Sequence, residues 1–501
     1  MPAPALRLAP PAEPLAEGFE RIRRELGVPG PHPPDAQAEA LAAAARGVPP
    51  DGRMDARGLE LVSIDPPGAR DLDQAVLVER RGDGFAVRYA IADVAALVAP
   101  GGAVDASARA RGVTVYMPDR RSPLHPDPIG EGAGSLLPGM DRPALLWTIE
   151  LDREGREGAA SVERAIVRSR RAISYERAQR AIDAGEDEAL VALREVGRLR
   201  LEREAERGGV SLTVPVQEIV REGAAYALRF EAPLPVEDWN AQISLLAGMC
   251  AARIMIRGGV GLFRTLEPAE PRALEGLRHS ARALGVTWPE GASYPEVVRG
   301  LDPSRPGDAA FAVRASRTTG AAGYAAWGGR TAAAGRPPEH AAIAAPYAHV
   351  TAPLRRLADR VANEIVLALA RGVEPPGWAL AAMPAMPDIM RETGSRARAA
   401  ERAALDYVEA VVLAPRVGET FRAVVVDVRD GRPVVQTAEP AVLAALDREG
   451  PQPGDEVSVR LVAADPGARR VVLRTSFASG SPRGSRGRRR PRRRGSPPAR
   501  G

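Results

Sequence analysis

Apolar positions along this chain change period several times, and the changes outline its parts. Near the start, "EGFERIRREL" and the Ala-rich "DAQAEALAAAARG" carry helical spacing inside a Pro-rich stretch. From about residue 58 the period drops to two. "LELVSID", "QAVLVER" and "GFAVRYAIADV" read as strands, separated by "PPGARD" and by "RGDG", a hairpin signal. Helical spacing returns in "SYERAQRAIDAG" and in the charged "EDEALVALREVGRLRLEREAERGG", which ends on a Gly-Gly stop. Two strand-like runs, "VSLTVPVQEIV" and "AYALRFEA", lead into a long amphipathic helix, "VEDWNAQISLLAGMCAARIMI". Residues 268–412 read as mostly helical, interrupted by "TTGAAGYAAWGGRTAAAGRPPEH". From about 416 the period is two again, in "GETFRAVVVDVRDGRPVVQTAE" and "GDEVSVRLVAADPGARRVVLRTS".

This mixture predicts an α+β protein. One large mixed domain is expected over 52–413, after a short helical, Pro-rich segment at 1–51. Four or five short strands at 414–476 suit a small closed or nearly closed barrel of the OB kind. The Ser/Gly/Pro/Arg stretch 477–501 is expected to be disordered.

Composition narrows the function classes. No apolar run approaches a membrane span, and the N-terminus lacks the basic-then-apolar layout of a secretory signal. Cys250 is the only cysteine, so no internal disulfide is possible. A cytoplasmic protein is the default expectation, with no membrane and no obligate protein partner implied. The formal net charge is +5, but residues 481–501 hold nine arginines and no acid, which leaves the first 480 residues at −4. The basic character therefore belongs to the tail. Lysine is absent, so all cationic work falls to arginine, whose planar fork suits phosphates and base stacking. Codon bias accounts for missing lysines equally well.

The segment "IDPPGARDLDQA" places Asp65, Asp71 and Asp73 within nine positions. Asp71 and Asp73 share one face of an extended segment, and the Pro-Pro-Gly turn can return Asp65 toward them. Converging carboxylates raise one another's pKa unless a hard cation sits among them, and Mg²⁺ is the natural occupant. Read alone, the three are equally turn-forming aspartates in a solvated loop.

Further segments follow in order: "YAIADVAALVAPGGAVDASARARGVTVYMPDRRSPLHP", "SLLPGMDRPALLW", "YAHVTAPLRRLADR" and "AERAALDYVEAVVL". Together with the acidic segment they resemble the ribonuclease II / ribonuclease R (RNB) family over roughly residues 58–413. The barrel beginning "GETFRAVVV" is similar to that family's S1-type RNA-binding domain. The resemblance implies a metal-dependent 3′→5′ exoribonuclease that hydrolyses single-stranded RNA processively to nucleoside 5′-monophosphates, with Mg²⁺ (Mn²⁺ as a substitute) as cofactor. It implies Asp65, Asp71 and Asp73 as metal ligands, with Asp73 also catalytic at the scissile phosphate. Arg355 would bind that phosphate, Glu401 would be a functional glutamate, Tyr116 would stack on the terminal base, and Tyr175 would lie farther along the strand path. Read alone, Arg355 and Glu401 are ordinary helix-surface charges and both tyrosines ordinary core aromatics.

The pattern departs from the family at Gln74, where a fourth aspartate is usual. A Gln oxygen can ligate a cation but brings no charge. The site would then work with one tightly held metal, or borrow another acid such as Asp93, or belong to a weakened homologue that binds RNA in a regulatory role. Another phosphodiesterase, acting on DNA or small nucleotides, is the remaining alternative. Gln242, Gly248, Leu266, Ala352 and Asn363 also depart. The family's tandem N-terminal cold-shock barrels are not expected, since only some 50 residues precede the large domain. The Arg-rich tail is expected to attract RNA through counterion release.

Overall fold

The structure is a computed structural model that describes residues 13–476, apart from 51, 213–215, 223–224, 232, 303–304, 317, 319, 329–334, 430, 438–440 and 448–449. The Arg-rich tail lies outside the described residues. The chain is α+β, a mixed body followed by a small β-barrel.

A seven-stranded sheet forms the centre of the body. Its strands lie in the order Met54–Ala56, Glu157–Arg168, Asp141–Leu151, Gly84–Ala92, Gln74–Arg81, Val62–Ile64, Arg171–Ile173. The central pairs are antiparallel, with Val76 opposite Tyr89 and Tyr89 opposite Trp147. Side chains alternate across a strand, and here both faces are covered. Val76, Val78, Val87, Tyr89, Ile91, Trp147 and Ile149 share a core with residues of the helices Glu188–Glu206, Pro235–Gly258 and Leu357–Ala370. The opposite face carries Ala75, Ala90, Ala92, Ala144 and Ala165, in one core with Ala36, Ala40 and Ala43 of the helix Pro34–Arg46. That helix packs against the helix Ala103–Arg111 and the segment Pro128–Ala133, which cover this face. The N-terminal segment is thus built into the body rather than standing alone.

Two features differ from the period-based reading. Asp141–Leu151 and Glu157–Arg168 form a long hairpin that sequence periodicity did not single out. Its strands have one fully buried half and one mixed half, so neither a clean alternation nor a clean apolar run results. The Gly/Ala-rich interruption contains a strand, Gly323–Gly328, paired antiparallel with Val260–Thr265. Its glycines and alanines have weak strand preference, and pairing with a neighbour far away in sequence decides its state.

The barrel has five strands in the order Val442–Ala445, Arg432–Thr437, Thr420–Arg429, Glu456–Asp465, Arg470–Thr475. A parallel bridge between Leu446 and Leu473 brings its edges together. The barrel shares a core with the helix Met386–Leu413 and with the helix Glu13–Glu25, where Phe19 meets Tyr407 edge to face at 5.5 Å. Among the described residues no helix is long and apolar enough to cross a membrane.

Candidate active site

The acidic segment is a loop joining two neighbouring strands, and backbone hydrogen bonds hold it at several points. The Asp65 amide donates to the Ile173 carbonyl at 3.1 Å, and the Ala69 amide to Pro66 at 3.1 Å, closing the Pro-Pro-Gly turn in which Gly68 has φ +80°. Leu72 is buried, and its amide donates to Ser135 Oγ at 2.9 Å while its carbonyl accepts from Leu136 at 2.9 Å. The Asp73 carbonyl accepts from Ala92 at 2.9 Å. Asp73 is therefore fixed immediately before the strand Gln74–Arg81 begins.

Opposite this loop runs the turn 350–356, which leads into the helix Leu357–Ala370. Asp359, in the first helical turn, accepts from the Ala352 amide at 2.7 Å and from Arg356 Nε and Nη2 at 2.9 and 2.8 Å. That arrangement satisfies a buried backbone donor and holds Arg356 in place. Leu354 and Arg355 are left to face the loop. The Leu354 amide donates to Asp73 Oδ1 at 2.7 Å, and Arg355 Nε lies 3.2 Å from Asp73 Oδ2. Burial pushes the Asp73 carboxyl up to about 8, opposed by Arg355 and by the Leu354 hydrogen bond, with Asp71 adding to the rise. Asp65 is likewise raised by burial, to about 6, with Arg355 opposing and Asp71 reinforcing.

Tyr116 reaches the same place from a short hairpin, Val115–Tyr116 with Arg121–Ser122. The Thr114 amide donates to the Arg355 carbonyl at 3.0 Å, which ties this hairpin to the 350–356 turn. The Tyr116 hydroxyl donates to Asp71 Oδ2 at 3.1 Å. Arg121 Nη1 lies 2.6 Å from Asp71 Oδ1, and its other terminal nitrogen pairs with Glu131. Arg121 and Glu131 were not singled out from the sequence. The one available signal was the doubled arginine in "PDRRSP", which is unremarkable in a chain so rich in arginine.

The other candidate residues are placed as follows. Gln74 Oε1 accepts from the Tyr89 hydroxyl and from Ser244 Oγ at 3.2 Å, so its oxygen is used against the helix Pro235–Gly258. Asp93 is buried and paired with Arg53 at 2.9 Å and Arg164 at 2.6 Å, the latter also reaching Glu364. Tyr175 opens the helix Tyr175–Ala184 and lies within electrostatic reach of Asp65 and Arg355; burial pushes its hydroxyl up to about 12. Glu401, in the helix Met386–Leu413, is raised by burial to about 7, and its charged neighbour is Arg398 on the same helix. The structure thus joins Asp65, Asp71, Asp73, Arg355, Tyr116 and Tyr175 electrostatically, whereas Gln74, Asp93 and Glu401 have other surroundings.

The milder departures also have local roles. Gln242 donates to Glu204 at 2.6 Å, and Asn363 donates to the Val350 carbonyl at 3.0 Å. Leu266 bridges to His340. Gly248 packs directly beneath Tyr347, and its carbonyl accepts from the Ala348 amide at 3.2 Å.

Oxygen donors of this kind suit Mg²⁺ chemically, yet their arrangement does not complete a centre. Both oxygens of Asp71 are engaged by Arg121 and Tyr116, both oxygens of Asp73 by Leu354 and Arg355, and the Gln74 oxygen by Tyr89 and Ser244. Among the described residues no group of three or more His, Cys, Asp or Glu side chains is placed to hold a metal ion. As folded, the residues do not fit a multi-carboxylate Mg²⁺ site.

Comparison with known proteins gives the same architecture. Residues 53–372 match the RNB domain, and residues 419–476 match the RNase II-type exonuclease C-terminal S1 domain. The ribonuclease R of Thermotoga maritima is 26% identical over 456 residues, covering 81% of this chain and 60% of that protein. The chain spans about a third of the ribonuclease R sequences of Acidithiobacillus ferrooxidans and Escherichia coli that it also matches. Among solved structures, Mycoplasma genitalium RNase R in complex with ribose-methylated single-stranded RNA superposes with a TM-score of 0.82 at 19% identity, over 92% of this chain and 78% of that one. Yeast Ssd1, a pseudonuclease, superposes at 0.66 with 17% identity, over 89% and 57%. At these identities the structural likeness is one of fold. With most of its length matching the RNB domain and an S1 domain behind it, the chain belongs to the RNB family.

Proposed function

We propose that this protein is a 3′→5′ exoribonuclease that hydrolyses single-stranded RNA processively to nucleoside 5′-monophosphates. The observation that carries the reading is the Asp73–Leu354–Arg355 arrangement inside the RNB-matched region. With its carboxyl raised to about 8, Asp73 in its ionised form, which gains population as pH rises toward that value, can accept a proton from water as that water attacks phosphorus. The phosphorus–O3′ bond to the rest of the strand breaks, and the departing 3′ oxygen takes up a proton. Arg355, one-third exposed beside Asp73, can offer its remaining donors to the phosphoryl oxygens as charge develops there. Tyr116 and Tyr175 supply ring faces for bases, and stacking tolerates any base. The S1 barrel supplies a second surface for a long single strand.

A second reading, an RNA-binding protein with weakened or lost catalysis, is favoured by the engagement of Gln74 with Tyr89 and Ser244 and by the fold likeness to a pseudonuclease. Incubating 5′-labelled single-stranded RNA with wild type and Asp73→Asn, with Mg²⁺ and Mn²⁺ titrated, separates the two. A ladder shortening from the 3′ end, absent in the variant, is the expected result. Intact RNA at every metal concentration, with binding retained, would establish the second reading instead.

A further inference from the structure

Asp71 is held from two sides by groups of its own chain, Arg121 Nη1 at 2.6 Å and the Tyr116 hydroxyl at 3.1 Å. Arg121 is not a loose surface side chain. Tyr116 and Arg121 pair directly across the short hairpin, so the root of the arginine is fixed opposite the tyrosine. Its second terminal nitrogen is ion-paired to Glu131, and Arg70 Nε also reaches Glu131 at 3.2 Å. The Arg121 and Asp71 side chains are 21% and 17% exposed, a setting in which a guanidinium–carboxylate contact is screened less than on open surface. Around Arg121, two carboxylates (Asp71, Glu131) face two guanidinia (Arg70, Arg121), so their formal charges cancel. A divalent cation entering this cluster would gain little from it and would be repelled by Arg121.

We infer that Arg121 takes the place of a divalent cation at Asp71. The chain neutralises this carboxylate with its own guanidinium. The centre therefore binds Mg²⁺ or Mn²⁺ weakly and receives the RNA backbone without needing one. Arg121 is a positioning residue here, since it holds Asp71, and through Asp71 the Tyr116 hydroxyl, rather than touching reacting atoms. The inference rests on reading the cluster as the RNA-binding centre of an RNB protein.

The test uses the full chain, with Mn²⁺ affinity read by calorimetry and RNA affinity read with a non-cleavable 2′-O-methyl single strand, with and without EDTA. Removing the competing positive charge in Arg121→Ala should raise Mn²⁺ affinity by about tenfold or more. Adding Asp71→Asn to that variant should return affinity to the wild-type level. Asp71→Asn alone, which leaves Arg121 without its partner, should bind Mn²⁺ no better than wild type, and EDTA should alter wild-type RNA affinity by less than about twofold. Unchanged or weaker Mn²⁺ binding in Arg121→Ala would overturn the inference. So would tight Mn²⁺ binding by the wild type itself, a measurement that stands even if the Arg121 variant fails to fold. Cleavage is scored separately. No cleavage with the predicted Mn²⁺ pattern removes the nuclease reading and keeps this one; cleavage with tight, Asp71-dependent Mn²⁺ binding does the reverse.

Discussion

Asp73 and Leu354 are 281 positions apart in sequence, yet the Leu354 amide donates to the Asp73 carboxylate at 2.7 Å while the neighbouring Arg355 meets its other oxygen at 3.2 Å. The loop after one strand and the turn before one helix are thus locked to each other through a single buried carboxyl. At pH 9, where the Asp73 carboxyl is ionised, Arg355→Ala leaves it without its counter-charge and should lower the melting temperature. Asp73→Asn in the same molecule should recover much of the loss, because an amide needs no counter-charge. Denaturant unfolding of the four proteins in the cycle measures the coupling, expected at about 0.5–3 kcal/mol. Additive effects would mean that the pair is not coupled in solution.

Gln74 joins the loop to the helix Pro235–Gly258 through Tyr89 and Ser244. Tyr89 is 1% exposed, so its hydroxyl depends on these partners. Gln74→Ala removes one acceptor and should cost about 1–3 kcal/mol, the usual penalty for weakening the satisfaction of a buried polar group. In a Tyr89→Phe background the same substitution should cost markedly less. Chemical denaturation of both pairs checks this, and equal costs would show that Gln74 acts elsewhere.

Tyr116 has two separable attributes, a ring and a hydroxyl bonded to Asp71. If the ring stacks on RNA, Tyr116→Ala should weaken binding by about 1–3 kcal/mol while Tyr116→Phe retains most of it. Fluorescence anisotropy with a short labelled single strand reads both. Equal losses in the two variants would assign the contribution to the hydroxyl and its hold on Asp71.

Glu409 sits where the helix Met386–Leu413 meets the barrel, 6% exposed, accepting from Gln217 at 2.6 Å and from the Leu443 amide at 3.5 Å. Burial raises its carboxyl to about 7, with the Gln217 hydrogen bond opposing. In the folded protein the group holds its proton to higher pH than in the unfolded chain, where the ordinary value is about 4.3. The folded state therefore binds more protons between those values, and stability must fall as pH rises through that window. Below it the contribution is fully present. Melting temperatures from pH 4 to 8 should decline less steeply in Glu409→Gln than in wild type, and parallel slopes would exclude Glu409 as a source.

Where local chemistry decides structure, it was legible in the sequence. The helices Tyr175–Ala184 and Glu188–Glu206 carry their own caps, with Ser174 and Asp187 each accepting from a first-turn amide, and the strands Gln74–Arg81 and Gly84–Ala92 flank a clear turn. The barrel followed from alternation and turn residues in the same way. The hairpin of Asp141–Leu151 with Glu157–Arg168 and the strand Gly323–Gly328 were not legible, because their state depends on strand pairing that overrides mixed or small-residue patterns. At the site, motif order singled out the aspartates, Arg355 and Tyr116, which the fold brings near one another, whereas side-chain direction lay beyond reach. Nothing in "DLDQ" shows that Gln74 turns toward Tyr89, nor does "PDRR" show that its second arginine turns onto Asp71. Those directions depend on helices and loops far away in sequence.

Gly248 illustrates how a distant neighbour sets a residue choice. It lies inside the helix Pro235–Gly258, where glycine is normally unfavourable by about 0.5–1 kcal/mol relative to alanine. A Cβ there would overlap the Tyr347 ring and approach the Ala348 carbonyl oxygen to 2.6 Å. Tyr347 is itself 6% exposed and stacks edge to face with His349 at 5.6 Å, so it has little freedom to retreat. Gly248→Ala should therefore destabilise by about 1–3 kcal/mol, the range for overpacking, despite the gain in helix propensity. Gly248→Asn should cost more, and trimming the ring with Tyr347→Ala should reduce the cost of Gly248→Ala without abolishing it, because the Ala348 carbonyl oxygen remains. Denaturant midpoints for the four proteins decide it. A stabilising Gly248→Ala in the wild-type background would mean that the tyrosine yields and that the ring does not dictate the glycine.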